Sequence, residues 1–305
     1  MEQKHYYNLD RLKICYRMSS TMVNYLNDED VDLLETENFT LFRKVRGKGQ
    51  LVIEIHIPYE VTKTKEVVFG ELVVDLNDYE HLNGRMYARL AVDNEFLYNT
   101  NPNINLSSLL RQFTSDFDCE FNNLSQVEIA CDVEYNASAA IFKALRAHKD
   151  PILIMGKTVK DVCQKQTAII YEFQGSLVEF TDMCIRFKTR DSKSEFYVYD
   201  KNDEIKRSKK AYIKKHHKTT SETLFRLECR FSKEQAEQLA KRHKKGQEDY
   251  LYDVLLSADG LKEAWRVSSM RYIRIKKDRR HIYDILTYVE SNVITDGGSF
   301  CHIPF

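Results

Sequence analysis

Alternation of apolar and polar residues with a period of two dominates the first hundred positions. Leu12–Tyr16, Leu51–Ile57, Val67–Val74 and Met86–Val92 each read as strands and together predict an antiparallel meander. The period then lengthens: Leu109, Leu110, Phe113 and Phe117 fall at helical spacing and predict a helix from about Leu106 to Phe117. A strand over Gln126–Val133 is followed by Asn136, a side chain suited to cap a helix running through Leu145. Four more strands are expected, Ala168–Phe173, Met183–Thr189, Glu195–Asp200 and Leu224–Phe231. Ser232-Lys233-Glu234-Gln235 has capping-box spacing and opens a helix to about Lys244; from there to about Val293 the pattern is helical, including Asp259–Val267 and Arg280–Glu290. No internal repeat of roughly 20–50 residues is present. The pattern predicts an α+β fold of antiparallel β-sheets with packed helices and a C-terminal helical tail. It divides into an α+β domain over 1–245 and a helical extension over 246–305.

Three of these strands carry a polar face. Side chains alternate across a strand. Glu128, Ala130 and Asp132 therefore share one side of the first, and Arg226, Glu228 and Arg230 one side of the last. In the middle strand Tyr197 and Tyr199 share a side, with Lys201 following in the same phase. Carboxylates, tyrosines and cations on one face suit a cleft that holds a hard divalent cation and handles phosphate. Glu128 and Asp132 lie roughly 13 Å apart along a strand, too far to ligate one ion together, so one of them is expected to pair with Glu228 across the sheet. The same pattern also fits a sheet face held by cross-strand ion pairs such as Glu228 with Lys201 or Arg230. A tyrosine hydroxyl can attack a phosphodiester and leave a covalent phosphotyrosine, given a cation or base to help it. Tyr199 and Tyr197 are both candidates, and Lys201 is placed to steady developing charge.

Composition narrows the partners. The formal net charge is zero, but residues 201–305 carry 23 Lys and Arg against 15 Asp and Glu, and the first 200 residues carry the opposite excess of eight acidic groups. Within the basic third, Lys206, Arg207, Lys209 and Lys210 run on to Lys214 and Lys215, then His216-His217-Lys218. Further runs cover Lys241–Lys245 and Arg271–Arg280. With Arg226 and Arg230, the first of these runs supplies the candidate contacts to nucleic-acid phosphates. His216-His217, set among lysines, is expected to join that patch. No apolar run approaches the length of a membrane span, and the first residues have no apolar core of a signal peptide. The 7 cysteines form no CxxC pair, which argues against zinc and fits a reducing, cytoplasmic setting. Walker-type loops, GxGxxG, GxSxG and HExxH are missing, as is a His-apolar-His pair.

Taken in order, Gln126-Val127-Glu128-Ile129-Ala130-Cys131-Asp132, Val198-Tyr199-Asp200-Lys201-Asn202-Asp203-Glu204 and Arg226-Leu227-Glu228 resemble the motifs of Rep_trans-type rolling-circle replication initiators of plasmids and filamentous phages. The opening strand Leu9–Ile14 fits as well. The resemblance implies a sequence-specific nickase–ligase, a metal-dependent tyrosine DNA endonuclease acting through a 5′-phosphotyrosine. It makes Tyr199 the nucleophile, Lys201 its support and Glu128, Asp132 and Glu228 the ligands of Mg²⁺ or Mn²⁺. Origin DNA, single-stranded or cruciform, is the implied partner, with a host helicase and polymerase, a homodimer and no membrane. Two positions depart from the motif: Gln126 stands where Arg is usual, and Glu128 where Asp is usual. A conjugative relaxase of the same chemistry, or a DNA-binding regulator that keeps the fold without cutting, are the alternatives.

Overall fold

Period-two alternation becomes the frame of the molecule. The computed structural model describes residues 4–28, 33–47, 49–76, 84–99, 101–147, 152–154, 157–159, 168–173, 176–181, 184–188, 194–276 and 282–291. The chain begins with β1 (His5–Ser19), α1 (Ser20–Asn27), β2 (Leu33–Glu35), β3 (Thr40–Gly47), β4 (Gln50–Ile57), α2 (Tyr59–Thr62), β5 (Val67–Asp75) and β6 (Arg85–Val92). Next come α3 (Asn94–Leu97), α4 (Leu106–Asp116), β7 (Cys119–Val133) and α5 (Ala137–Ala147). Six strands follow: β8 (Ile152–Ile154), β9 (Lys157–Val159), β10 (Ala168–Phe173), β11 (Ser176–Thr181), β12 (Cys184–Lys188) and β13 (Glu195–Asp200). Then α6 (Lys201–Ser208) and α7 (Tyr212–His217) lead to β14 (Phe225–Ser232) and α8 (Lys233–Arg242). The last elements are α9 (Gln247–Tyr250), a π-helical turn (Leu251–Leu255), α10 (Ala258–Ser269), β15 (Ile273–Lys276), β16 (Ile282–Asp284) and α11 (Ile285–Val289).

The chain forms two compact units. One draws on the chain up to Asn8, on Glu128–Phe231 and on the chain from Ala258 onward; the other on Leu9–Val127 and Ser232–Ser257. β1 and β7 each contribute residues to both.

In the second unit the four expected strands are β1, β4, β5 and β6, and two that were not expected, β2 and β3, extend them into β1-β6-β5-β4-β3-β2, each neighbour antiparallel to the next. The helix expected over 106–117 is α4, whose Asn105 cap accepts from the Ser108 amide at 3.0 Å. Its apolar stripe delivers Phe113 and Phe117, whose ring centres lie 4.9 Å apart, to Phe39, which packs in turn on Phe69 in a fully buried aromatic core. Burial of each such ring contributes roughly 1.5–3 kcal/mol. Gly70 is dictated by space: a Cβ there would sit 2.3 Å from the Ala91 carbonyl oxygen. Beside it the β4–β5 register shifts at Ile55/His56, a bulge that leaves Phe69 the extra residue.

In the first unit β10-β11-β12-β13-β14-β7 lie side by side, and the register is antiparallel from β10 through β14. One face of that sheet is apolar: Phe196 and Val198 of β13, Leu227 and Cys229 of β14, Ile129 and Cys131 of β7, all buried. Trp265 of α10 covers it and donates its indole N–H to the Leu227 carbonyl at 3.1 Å, while Tyr272 stacks on Phe196 at 5.6 Å. Asn136 caps α5 as expected, accepting from the Ala139 amide at 2.9 Å. The helix after Ser232 begins at Lys233, but the Ser232 hydroxyl turns to Glu234 rather than to a backbone amide. A second sheet, β16-β15-β8-β9, contains two strands that fall inside the stretch read as helical. In β15 only Ile273 and Ile275 point inward, too short an alternation to show against the helical background.

The described cysteines, Cys15, Cys119, Cys131, Cys184 and Cys229, are free thiols. Cys163, Cys301, the ends of the 183–189 strand and the 277–280 basic run lie outside the described residues, as does Val293. No helix among the described residues is long and apolar enough to cross a membrane.

Candidate active site

The face of the β13–β14–β7 sheet opposite Trp265 carries the residues singled out by alternation. Antiparallel register sets Glu195 against Arg230, Tyr197 against Glu228 and Tyr199 against Arg226. The Tyr199 hydroxyl donates to Glu228 Oε2 at 2.9 Å. Glu128 and Glu228, on different strands, bring carboxylate oxygens within 4.8 Å of one another, and both side chains are buried. Two buried carboxylates at that separation repel unless a cation lies with them. Arg230 partly answers this. Its Nε is 2.5 Å from Glu128 Oε1, one terminal nitrogen is 3.7 Å from Glu228 Oε1, and the other donates to Glu195 Oε2 at 3.1 Å. Burial works against the charged guanidinium, but Glu128 and Glu228 more than offset it and hold its pKa above the ordinary value. Arg186 adds a second cation, 3.9 Å from Glu195. Two cations against three carboxylates still leave the cluster acidic, and an all-oxygen donor set of this kind fits a hard divalent ion.

Tyr197 occupies the other side of Arg230. Its hydroxyl donates to Glu195, and the guanidinium carbons of Arg186 and Arg230 lie 5.3 and 5.7 Å from its ring centre. Burial first, and then the Glu195 carboxylate, push its pKa up to about 12. Glu195 was missed in the sequence reading, although it shares the strand phase of Tyr197 and Tyr199.

Lys201 does not continue the strand. Asp200 ends β13 and caps α6, accepting from the Asp203 amide at 3.1 Å. That turn carries Lys201 into the first position of the helix, where it is 1% exposed. Its Nζ lies 2.5 Å from Glu204 Oε2 and 5.7 Å from the Tyr199 ring centre. Glu204 is buried enough to be raised, yet Lys201 and Lys210 hold its carboxyl below the usual range.

Asp132, grouped with Glu128 and Glu228 in the sequence reading, has different company. Arg226 grips it with two nitrogens, Nε on Oδ1 and a terminal nitrogen on Oδ2, both at 2.6 Å. The His217 Nε2 is 2.8 Å from the same Oδ2. Desolvation would raise this carboxyl, but Arg226 and then His217 outweigh it, so its pKa is lowered. Arg226, a candidate DNA contact, is wholly buried in this pair. His217, expected to join the basic patch, is buried as well, and Tyr6 stacks on its ring at 4.5 Å. Tyr6 and Thr219 both donate to Glu134 beside it. No local pattern announces this cluster, because its partners stand 85 and 94 residues apart in the chain.

The basic run itself is helical. Lys206, Arg207 and Lys209 are exposed along α6 and its left-handed end at Lys209, and Lys215 is exposed on α7. Lys210 and Lys214 are half-buried, the first 3.8 Å from Glu204 and the second donating to the Ser221 carbonyl.

No protein-family model matches the sequence, and no curated protein matches it. Among solved structures the chain is similar to a rolling-circle replication initiator protein from Geobacillus stearothermophilus. That likeness covers 94% of this chain and 96% of the other, at a TM-score of 0.45 and 12% identity. A likeness of that depth gives no residue a role.

Proposed function

We propose that the protein initiates rolling-circle DNA replication by nicking and rejoining one strand through Tyr199, using a divalent metal, Mg²⁺ or Mn²⁺, held by Glu128 and Glu228. The observation that carries this reading is the Tyr199 hydroxyl bound to one of two buried carboxylates that approach within 4.8 Å. Glu228 Oε2 is placed to take the phenolic proton as the tyrosine oxygen bonds to phosphorus. The bond from phosphorus to the 3′ oxygen then breaks, leaving a 5′-phosphotyrosine and, once that oxygen gains a proton, a free 3′-OH for a polymerase. A hard divalent ion at Glu128 and Glu228 supplies charge neutralisation at the scissile phosphate. Lys201, with its ammonium near the Tyr199 ring, orients that side chain. The exposed cations of α6 and α7 grip the DNA backbone. Asp132 and Arg226 serve instead as a buried clamp beside the site, on the same sheet face.

Tyr197 is the weaker nucleophile, because its hydroxyl is committed to Glu195 and its pKa is raised. Incubation with labelled single-stranded DNA tiling the region around its own gene, with Mn²⁺, tests the assignment. The wild type and Tyr197→Phe should leave protein-linked DNA, and Tyr199→Phe none. Equal adduct from wild type and Tyr199→Phe overturns it.

A further inference from the structure

Arg230 reaches Glu128, Glu228 and Glu195 together, and it comes from the register position opposite Glu195. Its contacts are unequal. The approach to Glu128 is close, that to Glu228 is long, and the guanidinium is about a third exposed while both glutamates are nearly sealed. A buried carboxylate pair needs a positive partner whether or not a metal is bound. A guanidinium and a divalent ion cannot both sit against the same oxygens. The residue also has somewhere to go: Glu195 and the Tyr197 ring hold its far side, so it can release Glu128 and stay on the same face.

We propose that Arg230 is the built-in counter-ion of the metal-free site, holding Glu128 and Glu228 together and yielding to the metal, so that it sets the metal affinity. This rests on the reading that Glu128 and Glu228 hold a divalent cation. Arg230 acts through those carboxylates and is a positioning residue rather than a catalytic one. Its presence means that only a cation able to outcompete a tethered guanidinium occupies the site, which favours divalent over monovalent ions.

Two measurements on the full chain test it: Mn²⁺ affinity by titration calorimetry, and the thermal midpoint in EDTA and in saturating Mn²⁺. Arg230→Met should bind Mn²⁺ at least tenfold more tightly than wild type. It should also melt several degrees lower in EDTA and recover most of that loss in Mn²⁺. Arg230→Lys keeps a charge but cannot span both carboxylates, so it should lie between wild type and Arg230→Met in affinity. It also serves alone should the methionine variant fail to fold. Folded variants that bind Mn²⁺ no better than wild type overturn the role of Arg230 while leaving the metal reading in place. Wild-type Mn²⁺ binding that is unchanged in Glu128→Gln and Glu228→Gln removes the metal reading itself, and this inference with it.

Discussion

Asp132 shows how far a single buried charge depends on its partners. Both oxygens are occupied by Arg226 and His217, and Arg226 has no exposure of its own. Removing one member strands the other in a low-dielectric interior, so Arg226→Met should cost about 3–5 kcal/mol in urea unfolding. Adding Asp132→Asn to it should return part of that loss. The pH dependence follows from the lowered pKa of Asp132. Its folded value lies below the unfolded value of about 4, so its contribution is fully present above that pH. It is lost as pH falls through the folded value. Unfolding free energies measured from pH 7 down to pH 3 should therefore drop more steeply for wild type than for the double variant. Parallel curves would remove Asp132 from the acid sensitivity.

At the scale of elements, α6 and α7 turn a basic run into a surface with a defined geometry. Lys206, Arg207 and Lys209 are exposed, and the helix they sit on is anchored by Asp200 at its start and by Ile205 underneath. Replacing all three by alanine should flatten the dependence of log K for single-stranded DNA on log salt by about 2, from roughly 0.7 per phosphate contact. Their exposure keeps the stability cost within about 1 kcal/mol. An unchanged slope would place the DNA elsewhere. Asp200→Ala should cost about 1 kcal/mol through the lost cap.

Four of the six meander strands, β1, β4, β5 and β6, and the polar faces of β7, β13 and β14 were legible, because alternation over five or more residues leaves little choice of face; β2 and β3 were not read. The α6–α7 pair was not, since its apolar positions are too few to register a helical period against so many lysines. The partnership of Asp132 with Arg226 and His217 was hidden for another reason. Strand parity puts Glu128 and Asp132 on one face, but only the pairing of β7 with β14 decides that Glu128 meets Glu228 and Asp132 meets Arg226. Parity could have pointed to Glu195.

At the scale of the molecule, the unit that carries the site is assembled from three separate stretches of chain. The last of them starts at Ala258 and supplies what covers the apolar back of the sheet. Trp265 is 1% exposed and bonded to Leu227, immediately before Glu228, and Tyr272 lies flat on Phe196, immediately before Tyr197. The residues that face the chemistry therefore alternate with residues held by the C-terminal segment, and packing on one face fixes register on the other. Trp265→Ala removes the largest buried side chain and a backbone partner at once, at a cost of about 3–5 kcal/mol. Loss of the cover should loosen β13 and β14 before it touches the meander. Hydrogen exchange of the variant should then show faster exchange at Val198 and Leu227, with Ile53 and Leu72 of β4 and β5 unchanged. The yield of DNA adduct should fall in step with the β13 amides. Uniform loss of protection across both units would mean that Trp265 supports the whole chain rather than the sheet beneath the site.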